Sequence, residues 1–112
     1  MIGTFHSIWK FEVSDLVNWN SKAKAALEIL QTQPGFISAN ILHSADESHI
    51  YIVQTDWVDV GSYRRALGSM EAKLGVWPFL ADMKDEPTAF EKLLTMDAKT
   101  TTGFESSVTD EV

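Results

Sequence analysis

The sequence predicts an α+β fold, a ferredoxin-like βαββαβ arrangement with an antiparallel sheet, and three observations carry that prediction. Segments of strand and helix character follow one another in the order strand, helix, strand, strand, helix, strand. The two middle strands are separated only by the polar stretch Ser44-Ala45-Asp46-Glu47-Ser48, short enough to close an antiparallel hairpin. Both of these strands carry apolar residues on two faces, so their sheet needs a cover on each side.

The first strand runs from Thr4 to Val13, with Phe5, Trp9, Phe11 and Val13 on one side and Thr4, His6, Lys10 and Glu12 mostly on the other. Ser14-Asp15 then offers an N-cap, and Leu16, Trp19, Ala23, Ala26, Leu27 and Leu30 recur at helical spacing until Gln33-Pro34-Gly35 stops the pattern. Residues 36–43 and 49–57 are the hairpin strands. In them Phe36 and Leu42 are expected to oppose Ile37 and Ile41, and Ile50 and Ile52 to oppose Tyr51, Val53 and Trp57.

Asp59 caps a short helix through Tyr63, Ala66 and Leu67, Gly68-Ser69 interrupts it, and Met70 to Leu80 continues as a second piece whose end Pro78 leaves open. For residues 88–96 the composition favours a helix and a weak alternation favours a strand. The topology needs a fourth strand, so a strand is the expectation. From Asp97 the composition shifts to Thr, Ser, Gly and acids, which divides the chain into one domain at 1–96 and a flexible acidic C-terminal tail at 97–112. The helices cover one face of the sheet, and nothing in the chain is left to cover the other. A second copy in a two-fold dimer is the simplest cover.

With 112 residues, 45% of them hydrophobic and 22% charged, the chain has room for one core and not for two. Its net charge of -7 has the wrong sign for holding a phosphate backbone, so nucleic acid is not an expected partner. The tail accounts for -3 of that charge, through Asp97, Glu105, Asp110 and Glu111 against Lys99, and the remainder is too mild to speak for or against a charged substrate. No cysteine is present, which excludes disulfides, thiolate metal sites and cysteine nucleophiles. The three His residues lack metal-ligand spacing, and no metal is expected. No stretch approaches the roughly 18 apolar residues of a membrane span, and the first residues lack a basic leader, so the expected location is the cytoplasm.

Four segments carry a resemblance to a known family. They are the Pro34-Gly35-Phe36 turn, the strand ending Thr55-Asp56-Trp57, the helix Val60-Gly61-Ser62-Tyr63-Arg64-Arg65-Ala66-Leu67, and Asp85-Glu86-Pro87-Thr88-Ala89-Phe90-Glu91. Over residues 2–94 the chain resembles antibiotic biosynthesis monooxygenase domain proteins, most of all an actinobacterial branch. The resemblance implies a dimeric α+β barrel with a cleft between helices and sheet in each protomer. Some such proteins oxidise polycyclic phenols with O2 and no metal, flavin or haem, and others cleave haem. Aligned on Trp57, the Asn, Trp and His that the haem-cleaving relatives use fall near Ser7, Ala66 and Val76, which disfavours haem degradation here.

An oxygenation without cofactor asks for an apolar pocket and a few polar groups to hold a phenol and its anion. Tyr63, with a hydroxyl on the helix after Trp57, and His6, whose imidazole is the side-chain type suited to general base work, are the candidate catalytic residues. His6 serves as a base if its side of the strand lines the cleft, and otherwise as a hydrogen-bonded residue at the dimer interface. Trp57, Tyr51 and Trp77 are candidate walls for a flat, hydrophobic or aromatic ligand, although Trp57 at a strand end also suits simple packing. Asn40 and Arg64 are candidate polar contacts, and Arg64 and Arg65 point about 100° apart on a helix, so only one of them faces the cleft. Two readings follow: a cofactor-independent oxygenase, or a small-molecule-binding or stress-related dimer of the same fold without chemistry.

Overall fold

A computed structural model describes residues 1–107 of the chain. The elements are β1 (Phe5–Glu12), α1 (Leu16–Gln31), β2 (Phe36–His43), β3 (Ile50–Trp57), α2 (Val60–Leu67), α3 (Met70–Gly75), α4 (Trp77–Leu80), β4 (Ala89–Glu91), β5 (Leu94–Met96) and β6 (Thr101–Gly103). Four strands form an antiparallel sheet in the order β2-β3-β1-β4, which is the ferredoxin-like plan. Among the described residues no helix is long and apolar enough to cross a membrane.

Local chemistry explains the helix boundaries. Asp15 caps α1 by accepting from the Asn18 amide at 3.2 Å, and Asp59 caps α2 by accepting from the Ser62 amide at 2.7 Å. The expected helix from Met70 to Leu80 divides at Val76 into α3 and α4. Pro78 falls in the first turn of α4, where its missing N–H costs no helical bond. Between α1 and β2 the chain reverses through Gly35 at φ 88°, a left-handed conformation that strains any residue with a Cβ. A Cβ there would also overlap the side chain of Ser62 on α2, so the tightness of this turn lets α2 lie close against it.

Alternation along β1 sends Phe5, Ser7, Trp9 and Phe11 into the core and His6, Ile8, Lys10 and Glu12 to the other face. The register of β1 against β3 pairs Phe5 with Trp57, Ser7 with Thr55, Trp9 with Val53 and Phe11 with Tyr51, so these eight residues share the face covered by the helices. Ala23, Ala26 and Leu30 of α1, Tyr63 and Ala66 of α2, Ala72 of α3 and Phe79 of α4 complete that core.

Two sequence expectations change here. A bulge between Phe36 and Ser38 shifts β2, so Phe36 and Ile41 lie on the same, helix-covered face instead of opposing one another. Phe36 packs edge-on to Trp57 at 5.3 Å, while Ile37 is displaced outward. The expected strand at 88–96 is two strands in two sheets: Ala89–Glu91 completes the main sheet, and Leu94–Met96 pairs with Thr101–Gly103. Part of the expected tail is thus ordered, because Asp97 accepts from the Lys99 and Thr100 amides, both at 2.8 Å, and turns the chain back. Residues 108–112 of that expected tail lie outside the described residues.

Among the described residues no helix lies over the second face of the sheet. At its centre the Asp56 carboxylate gathers three partners: His6 Nδ1 lies 2.5 Å from Oδ1, Gln54 Nε2 donates to Oδ1 at 3.0 Å, and Ser38 Oγ donates to Oδ2 at 2.6 Å. One carboxylate therefore ties β1, β2 and β3 together. Burial works to raise its pKa, but the hydrogen bonds from Ser38, His6 and Gln54 outweigh burial together and hold it below the usual 3.8.

Two outcomes are expected from these contacts. Gly35→Ala lowers the melting temperature by the equivalent of about 1–3 kcal/mol from the backbone alone, with the Ser62 overlap adding to it; an unchanged melting curve would contradict the role given to the turn. For Asp56, a carboxyl with a depressed folded pKa contributes stability above its unfolded value, near 3.8, and loses it as the pH falls through the folded value. Asp56→Asn should therefore cost about 1–3 kcal/mol near neutral pH, with a gap to wild type that closes below that value; thermal unfolding across the range checks it, and a gap independent of pH would count against it.

Candidate functional site

Under the sheet, on the helix side, polar side chains meet in an otherwise apolar core. Tyr63 is carried there by α2, whose Asp59 cap fixes where the helix starts and hence which residue faces β1. Its hydroxyl accepts from Trp9 Nε1 at 3.2 Å and is also hydrogen-bonded to Ser7. The Ser7 hydroxyl in turn meets that of Thr55, and Trp57 Nε1 donates to Thr55 Oγ1 at 2.8 Å. Phe5 and Trp57 flank the Tyr63 ring, with centroids at 4.7 and 5.9 Å.

Burial pushes the Tyr63 hydroxyl above its ordinary pKa of 10.0, and the hydrogen bonds to Trp9 and Ser7 pull back only in part. At physiological pH Tyr63 is thus a neutral phenol in a water-poor setting. A phenol in that state can give a hydrogen bond or a proton, and it is not ionised to act as a base.

Further along the same face, a cleft of about 580 Å³ opens between the start of α1 and α4, walled by Phe11, Trp19, Val13, Pro78 and Phe79. This volume falls within the range of small-molecule sites. Trp19 is the hub of its aromatic wall, with Phe11, Tyr51 and Phe79 at centroid distances of 5.4, 5.3 and 5.8 Å. Tyr51 therefore stands behind the cleft, stacked on its other side against His43 at 4.3 Å.

The remaining sequence candidates lie outside this interior, His6 and Asn40 across the sheet from it and Arg64 and Trp77 on the outer sides of their helices. His6 lies on the open face, its Nδ1 on Asp56 and its Nε2 2.9 Å from Thr4 Oγ1, so His6 and Tyr63 stand on opposite sides of the sheet. Asn40 is exposed on the open face, paired in register with Gln54. Arg64 points outward from α2 into a groove with Phe5, Phe90 and Glu91. Trp77 lies outside the cleft on α4, half exposed, where its indole donates to the Leu67 carbonyl at 2.8 Å and Lys73 sits over the ring at 5.8 Å. Among the described residues no three His, Cys, Asp or Glu side chains converge as a metal site.

Ser7, Trp9, Trp19 and Thr55 were absent from the candidates drawn from sequence. A signal for Ser7 was present: it is a small hydroxyl residue on the apolar side of Phe5, Trp9 and Phe11, where a polar group has to find a partner. Trp19 carries no such signal, since on a helix it reads as an ordinary member of the apolar stripe.

Residues 18–76, more than half of the chain, match the family model described as antibiotic biosynthesis monooxygenase. Among solved structures, SnoaB, a cofactor-independent oxygenase from Streptomyces nogalater, is similar with a TM-score of 0.64 at 17% identity, covering 98% of this chain and 99% of that one. A conserved protein from Methanosarcina mazei Go1 is similar with a TM-score of 0.63 at 20% identity, over 76% of this chain and 85% of that one. A protein from Nitrosomonas europaea, described as a candidate antibiotic biosynthesis monooxygenase, has a TM-score of 0.63 at 14% identity, over 92% and 91% of the two chains. Identities this low speak for a shared fold alone. No curated protein matches the chain. The span matched by the family model runs from the first turn of α1 through both hairpin strands to the end of α3 and contains Trp19, Trp57 and Tyr63, and on that match the chain belongs to the antibiotic biosynthesis monooxygenase family.

Proposed function

We propose that this protein is an oxygenase of that family, acting without metal, flavin or haem on a flat phenolic compound bound between the helices and the sheet. The observation that carries the reading is the neutral, buried Tyr63 hydroxyl, held by Trp9 and Ser7 in a core next to an aromatic cleft. The likeness to SnoaB supports the class of chemistry.

Such a reaction balances with the substrate as its only reductant: a ring CH2 and O2 become a ring C=O and water. The ionised phenol delocalises charge onto the ring carbon, which gives an electron pair to O2 and forms a C–O bond. The peroxide anion so formed takes up a proton equivalent to the one the phenol released to the medium, and the hydroperoxide then loses its remaining C–H proton to the medium as its O–O bond breaks, leaving the carbonyl. Tyr63 gives its proton to the departing oxygen and regains it from the medium. To reach Tyr63 from the cleft, the ligand displaces the Trp9 indole, which lies on β1 between Phe11 and Ser7 and occupies the hydroxyl in its absence.

The open face of the sheet is the surface we assign to a second copy. Ile8, Leu42, Ile52 and Phe90 lie there, with Leu42 and Phe90 nearly half exposed, around the His6 and Asp56 pair. His6 on this reading belongs to the interface.

Two measurements test these statements. Oxygen uptake with a hydroxyanthrone should occur in wild type and fall by about 100-fold or more in Tyr63→Phe at unchanged fold; a hydroxyanthrone that raises the melting temperature but consumes no O2 would instead mean a binding protein without chemistry. Sedimentation should give a dimer at micromolar concentration and a monomer for Ile52→Lys, whereas a wild-type monomer would remove the second copy.

A further inference from the structure

The chain has four tryptophans, and three of their indole N–H groups are spoken for: Trp9 donates to Tyr63, Trp57 to Thr55 and Trp77 to the Leu67 carbonyl. The fourth is not. Trp19 Nε1 is buried and has no partner among the described residues, and it is the sole buried side-chain nitrogen or oxygen there in that condition. A buried donor without an acceptor is destabilising, and a phenylalanine would fill the same aromatic cluster without that penalty.

Trp19 also lines the cleft between α1 and α4. Phe11 and Phe79 offer faces and edges to a flat ring there, but neither can direct it. The charged residues lining the cleft are Glu12, Asp15 and Asp82 against Lys22, and with Lys84 paired to Glu12 at 3.3 Å the acids still outnumber the cations, which disfavours a carboxylate or phosphate ligand. The missing partner is therefore a neutral acceptor oxygen attached to an apolar frame.

We infer that Trp19 is the specificity-determining residue of the cleft, its ring shifting as a flat, uncharged aromatic ligand enters so that the indole N–H, otherwise closed to solvent, donates to a carbonyl oxygen on that ligand. The inference rests on the reading that such a ligand occupies this cleft, and it names the group on the ligand that the protein recognises. A ring system of the right shape without that oxygen leaves the N–H unpartnered and binds more weakly. Under the proposed oxygenation, the acceptor is a ring carbonyl of the substrate or its oxidised product.

The test uses 9-fluorenone and fluorene, one tricyclic frame with and without a carbonyl, and reads binding independently of turnover. In ¹H–¹⁵N spectra of the wild-type protein, the Trp19 indole resonance, assigned by its absence in Trp19→Phe, should move downfield with fluorenone and not with fluorene. Trp19→Phe should bind fluorenone about five- to tenfold more weakly and fluorene unchanged, the loss expected for one neutral hydrogen bond. Should that variant fail to fold, fluorenone should still raise the wild-type melting temperature more than fluorene does. Equal shifts from both compounds, an unmoved Trp19 resonance, equal melting temperatures or no binding of either compound would overturn the inference.

Discussion

The register between β1 and β3 is the constraint on which the rest of the molecule depends. It pairs Phe5 with Trp57 and runs without a break to Glu12 and Ile50, and it decides which side chains of the two central strands meet the helices that carry Trp19 and Tyr63. Because side chains alternate along a strand, a slip of one residue would turn Trp9 and Phe11 to the open face and bring His6 and Lys10 under the helices. That would bury charge and expose two large rings at once. The register is held from both sides of the sheet, by Ser7 meeting Thr55 below it and His6 meeting Asp56 above it.

The two faces so created have different chemistry. On the helix side, polar atoms are few and hydroxyl or indole in type, which keeps them neutral at physiological pH and tolerable at full burial. On the open side, the polar centre is a carboxylate, made acceptable by three donors and by partial contact with solvent. A neutral interior and an ionised outer face suit a protein that takes an apolar molecule between its layers and presents the other surface to a partner. The aromatic rings follow this division. Phe5, Trp57 and Tyr63 gather at one end of the interior, and Phe11, Trp19 and Phe79 at the other, with Trp9 between them on β1.

Much of the fold was legible in the residues because local physics dictated it. Alternation in β1, the Asp15 and Asp59 caps, the Gly35 turn and the short polar hairpin each act over a few residues and survive in the structure unchanged. The failures were at places where two local signals compete. Residues 88–96 alternate too weakly to declare where pairing changes from one sheet to another, and the Asp97 turn that recruits Thr101–Gly103 depends on a partner strand the composition does not announce. The bulge at Ile37 is of the same kind, since one extra residue leaves the apolar pattern intact while changing which face it serves.

For the site, the division is sharper. Sequence by itself determined which residues are apolar, which can titrate and, in the unbulged β1 and β3, on which side of the strand each one stands, because those properties belong to single side chains and to a period of two. It therefore already separated His6 from Phe5 and Trp9. Only the tertiary structure decided that α2 brings Tyr63 to the Trp9 side, across the sheet from His6, that Trp77 turns outward to the Leu67 carbonyl, and that Trp19 is the one indole without an acceptor among the described residues. Each of those outcomes depends on how separate elements pack. A hydrogen bond between residues more than fifty positions apart, or the lack of one, is a property of the assembled layers and is not written in any one of them.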